Sequence, residues 1–152
     1  MKIRTIALRT AATTGLVLGA VIALGPSAGA TTPGAVAPAA TPAISVTPST
    51  ALPATAAVTV SATGLTAGTT YFIGECAAVS ATEFACDPTG NTSAVASASG
   101  TLSIPLTVHK VFQGTTGPEG TPWGTVNCAV QACSVTVYDA AFSGGSVPIT
   151  FV

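Results

Sequence analysis

The chain has 152 residues, 48% of them hydrophobic and only 6% charged, with a formal net charge of −1. That length suits one domain around a single core. So few Lys and Arg exclude both the footprint that neutralises duplex phosphates and a polybasic membrane patch.

The N-terminus carries Lys2, Arg4 and Arg9, then an apolar run from Leu16 to Leu24, then the small residues Ala28, Gly29 and Ala30. This is the layout of a secretory signal peptide, expected over residues 1–30. The apolar run is shorter than the roughly 20 residues a spanning helix needs. With the signal removed, Lys110 is the one cation against Glu75, Glu83, Asp87, Glu119 and Asp139. Residues 31–43 mix Pro, Ala and Thr without periodicity and read as a flexible lead-in.

From Ile44 to Val152, short β-branched runs alternate with Gly, Pro, Asn or Asp. Seven strands are predicted, at 44–48, 56–64, 69–76, 101–108, 125–130, 134–140 and 147–152. In VTVS (Val58 to Ser61) and VTVY (Val135 to Tyr138), apolar residues alternate with polar or amphipathic ones, the mark of antiparallel strands with one buried face. Pro105 cannot donate to a ladder, so its strand belongs at an edge or a bulge. The segment from Gly114 to Gly124 is rich in Gly and Pro and fits no strand; it reads as a long hairpin or cleft wall. It lacks the Lys-Ser/Thr ending of a phosphate-binding loop. About seven short strands favour an immunoglobulin-like β-sandwich over a closed barrel.

Four cysteines in a secreted chain imply two disulfides, though three pairings are open to them. Nine residues separate Cys76 from Cys86 and four separate Cys128 from Cys133, and the wider spacing fits zinc poorly. If the pairings are local, each bridge stabilises by about 2–3 kcal/mol. Catalytic groups are scarce. His109 is the single histidine and reads as a surface residue, and Glu83 and Asp87 read as a solvated loop beside Cys86. A secreted hydrolase would rest on His109 alone.

Several segments together resemble the neocarzinostatin family of enediyne-chromophore apoproteins: VTPST, GLTAGTTYFIGECA, LTV before His109 and Lys110, WGTVNCAVQAC and the terminal DAAFSGGSVPITFV. The resemblance spans residues 44–152 and implies an all-β, seven-stranded immunoglobulin-like sandwich with a small two-stranded ribbon arm. It implies the disulfides Cys76–Cys86 and Cys128–Cys133, no enzymatic activity, and a cleft holding an apolar chromophore noncovalently. DNA is then the target of the released chromophore, not of the protein's own charge. No membrane contact is expected after signal cleavage, and the protein is expected to be a monomer.

The family's aromatic cleft positions correspond here to Ala78, Asn91 and Pro118. Phe84 retains an apolar side chain near the second cysteine, and period-two geometry puts Ser134, Thr136 and Tyr138 on one wall. These four are the candidate ligand-binding residues. The alternative is a secreted immunoglobulin-like binding domain that has lost its chromophore.

Overall fold

A computed structural model describes residues 41–152, which contain ten strands and no helix. The strands are β1 (Ala43–Thr47), β2 (Thr55–Thr63), β3 (Thr70–Ala78), β4 (Phe84–Cys86), β5 (Thr92–Val95), β6 (Leu102–His109), β7 (Val111–Thr116), β8 (Thr121–Asn127), β9 (Cys133–Tyr138) and β10 (Gly144–Ile149). One sheet has the order β1-β2-β6; the other runs β10-β9-β3-β4-β7-β8, with β5 also paired to β3. All the pairings between named strands are antiparallel.

Alternation makes the sandwich. In β2, Ala56, Val58, Val60 and Ala62 are buried while the residues between them face outward. In β9, Cys133, Val135 and Val137 are buried between half-exposed neighbours. The two inner faces close over one apolar core that includes Val60, Leu106 and Val108 from one sheet and Ile73, Val126 and Val135 from the other. Tyr71 is buried too, its hydroxyl accepting the Thr66 amide at 3.1 Å. Pro105 lies in β6, an edge strand bonded only to β2, as its missing donor requires.

All seven predicted runs carry strands, and three short strands join them. β4 is three residues long, β5 is TSAV with little apolar signal, and β7 ends in Gly114, Thr115 and Thr116. The Gly114 to Gly124 segment is therefore a hairpin, as one of its two readings held, but its ends do lie in strands. The glycines fit because Gly114 packs against Ala85 and Val126 at a register shift in the ladder, where a side chain would collide.

β3 is central, and its partner on one edge changes midway. Residues 70–73 pair with β5 and residues 76–78 with β4. The ladder is regular to Cys86 and resumes at Thr92, so the turn between them lies beside β3 opposite Gly74 and Glu75. Cys76 and Cys86 are cross-strand partners there and form one disulfide; Cys128 and Cys133 form the other. The predicted signal and most of the lead-in lie outside the described residues.

Candidate functional site

On β3, side chains alternate between the core and the opposite face. Phe72, Gly74 and Cys76 share that outer face, and the register sets Tyr138, Thr136 and Ser134 of β9 beside them. Above this row opens a cleft of about 680 Å³, within the roughly 300–1,000 Å³ usual for small-molecule sites. Gly74 and the Cys76–Cys86 bridge lie along its base, and Phe72 and Tyr138 stand side by side. Asn91 and Thr92 flank the other edge of β3, while Gly117 and Pro118 reach in from the β7–β8 turn.

Phe142 also lines the cleft and is 85% exposed, with a left-handed backbone at φ 59°. Such a conformation costs a non-glycine residue about 1–3 kcal/mol and persists only where its surroundings enforce it. Asp139 does so. Its Oδ1 accepts the amides of Ala141 and Ser143 at 2.9 and 2.8 Å, and its carbonyl accepts the Phe142 amide at 3.0 Å. The loop thus holds an aromatic ring in the open at the edge of the site.

Of the candidate residues, Thr136 and Tyr138 line the cleft. Ser134 shares their face but sits beyond the lining, opposite Cys76. Phe84 is paired with Ala78 past the disulfide, 54% exposed and outside the cleft. Cys128 and Cys133 are buried in the core, so that bridge braces the start of β9 from behind.

On the core face of β3, beneath the base of the cleft, lies Glu75, with no exposed surface. Its Oε2 accepts the His109 amide at 2.6 Å. Its Oε1 lies 3.5 Å from Cys128 Sγ, and a disulfide sulfur has no hydrogen to give. An anionic Oε1 therefore lacks a donor, whereas a protonated one can donate to the sulfur. Burial pushes this carboxyl up to about 7; the His109 amide opposes the shift and the nearby Asp87 charge adds to it.

Asp87 is 1% exposed, which corrects the expectation of a solvated loop. Burial alone would raise its pKa. The hydroxyl and amide of Thr89, at 2.7 and 2.8 Å, together with His109 Nδ1 at 2.7 Å, outweigh burial and hold it below its usual value. His109 is likewise no free surface residue, since its ring is tied to Asp87 and only partly exposed. A pocket of about 240 Å³ opens beside the pair. Glu75, Asp87 and His109 bring ligand atoms within 4.8 Å of one another. His109 Nδ1 and Asp87 Oδ2 are bonded to each other, and Glu75 Oε2 is taken by an amide, so the cluster acts as a hydrogen-bonded brace. It fixes the turn that carries the chain from Cys86 to Asn91.

Across the domain, the model of the Neocarzinostatin family matches residues 44–151. The chain belongs to the neocarzinostatin family. It is 46% identical over 110 residues to macromomycin of Streptomyces macromomyceticus, covering 72% of this chain and 76% of that protein. It is 42% identical over 112 residues to the antitumor antibiotic C-1027 apoprotein of Streptomyces globisporus, covering 74% and 77%. A macromomycin structure superimposes with a TM-score of 0.72 at 46% identity, covering 73% of this chain and 99% of its own. A solution structure of apokedarcidin gives 0.61 at 29%, covering 74% and 100%. The family's members are apoproteins rather than enzymes.

Two of the three positions where the neocarzinostatin family was expected to offer aromatics, Asn91 and Pro118, do line this cleft, while Ala78 does not. Aromatic surface enters from elsewhere, through Phe72 and Phe142, which the sequence reading missed. For Phe72 the signal was present: it lies two and four residues before Gly74 and Cys76 on a predicted strand. Phe142 had no such signal, because its place depends on the Asp139 turn.

Proposed function

We propose that the protein is a secreted carrier that holds a flat, apolar, enediyne-type chromophore noncovalently in this cleft and shields it from water and thiols. The released chromophore, not the protein, then attacks DNA. The supporting observation is the cleft of about 680 Å³ with Phe72, Tyr138 and Phe142 on its lining. An aromatic side chain can bury about 150–250 Å² in all, so each ring adds a large contact area. These rings supply what Ala78, Asn91 and Pro118 lack, and so favour a carrier over a binding domain that has lost its ligand.

In this reading residues 1–30 are removed as a signal peptide, 31–43 are a lead-in and 44–152 are the carrier domain, a monomer without membrane contact. Thr136 and Tyr138 contact the ligand, with Ser134 and Phe84 at its margins. The relatives' own identities agree: C-1027 is an antitumor antibiotic apoprotein. Purification from the native culture medium in the dark, followed by mass spectrometry and absorbance, is expected to yield a bound polyunsaturated aromatic compound. Protein recovered from that culture free of any organic ligand would overturn the proposal.

A further inference from the structure

A polar strip crosses the base of the otherwise aromatic cleft. Gly74 is paired with Thr136 on one side, and the Asn91 side chain folds onto it from the other. A Cβ at position 74 would fall on the Asn91 carboxamide oxygen Oδ1, so this placement exists only because residue 74 is glycine, and the group set above Gly74 is an acceptor. Thr136 Oγ1 donates to the Gly74 carbonyl at 3.2 Å, leaving its lone pairs free. Asn91 is solvent-exposed in the cleft, so its amide is open to a ligand.

Asn91 is also held in place. It ends the turn that begins at Asp87, whose amide donates to the Glu75 carbonyl at 2.9 Å and whose side chain is anchored by Thr89 and His109. At the next residue the chain pairs with β3, Thr92 opposite Ile73. A side chain carried on so braced a turn loses little backbone freedom on binding, which favours its use in recognition.

An apolar ring laid over the strip would bury Asn91 Oδ1 without a partner, whereas a ring bearing an N–H or O–H there would donate to it. We infer that the cleft selects flat aromatic ligands carrying a hydroxyl or ring N–H donor above Gly74, with Asn91 Oδ1 as the acceptor that sets this selectivity. The inference rests on the carrier reading and specifies its ligand.

The test uses two flat probes of equal outline, carbazole with its ring N–H and fluorene with a methylene in its place. Both are titrated into the purified disulfide-bonded protein and followed by amide NMR shifts. The wild-type protein is expected to prefer carbazole by about three- to tenfold, the worth of one neutral hydrogen bond. Asn91→Ala should bring the ratio close to one. Gly74→Ala should do the same by a separate route, since the new methyl takes the carboxamide's place. Equal binding of the two probes by wild type, or an unchanged ratio in Asn91→Ala, overturns the inference and leaves the carrier reading standing. Failure of both probes to shift cleft amides overturns the carrier reading and the inference with it.

Discussion

Replacing Glu75 by Gln should abolish a pH dependence of stability that the wild-type fold carries. The carboxyl titrates near 7 when buried and near 4.5 when free. Because the folded state holds the proton more tightly, stability is full below about 4.5 and falls as pH rises towards 7. Once both states are ionised the loss is roughly 3 kcal/mol, a large part of the 5–15 kcal/mol typical of a domain. Gln keeps the acceptor for the His109 amide and adds an N–H that can donate to the Cys128 sulfur, with no proton to lose. Urea unfolding followed by far-UV circular dichroism, from pH 4 to pH 8 with disulfides intact, isolates the effect. Every other titrating group is present in both proteins, so the difference between the two curves belongs to Glu75 and to its coupling with Asp87 and His109. The variants should match near pH 4, and Glu75→Gln should be more stable at pH 8 by about 1–3 kcal/mol. Parallel curves across this range would refute the assignment of a raised carboxyl beneath the cleft.

Asp87 acts in the opposite sense: its hydrogen bonds hold it below its ordinary 3.8, so its contribution is present above that value and lost as pH falls below it. Asp87→Asn should flatten the acid limb of the unfolding curve below about pH 4, measured by the same denaturant titration. Tyr138→Ala removes one aromatic wall and should weaken carbazole binding about tenfold or more in the NMR titration, with little change in thermal midpoint. Replacing Cys76 and Cys86 together by Ser should lower stability by about 3 kcal/mol and also weaken probe binding, because that bridge lines the cleft. Replacing Cys128 and Cys133 should cost about 2 kcal/mol and leave probe affinity nearly intact; urea midpoints and probe titrations separate the two.

Much of the sandwich was legible because strand formation is encoded locally. Val58 to Ser61 and Val135 to Tyr138 alternate with period two, so one face had to be buried; the same period put Thr136 and Tyr138 on one face, which the family resemblance implied to be a cleft wall. The strands that escaped notice, β4, β5 and β7, are short or polar and are held by their neighbours in the sheet rather than by their own pattern. Asp87 and His109 were misread for a related reason. A carboxylate beside a cysteine and one histidine after a strand look like surface residues. What buries them is a pairing across 22 positions, with Glu75 joined to His109 across 34.

Period-two alternation and the segments that resemble the neocarzinostatin family determined seven of the ten strands, the architecture and the family, since these depend on residues close together in the chain. Only the tertiary structure decided which rings wall the cleft, why position 74 is glycine, and that a proton-holding carboxyl lies beneath its base. Each of those follows from groups far apart in sequence meeting across β3, where burial and hydrogen bonding, not local propensity, set the outcome.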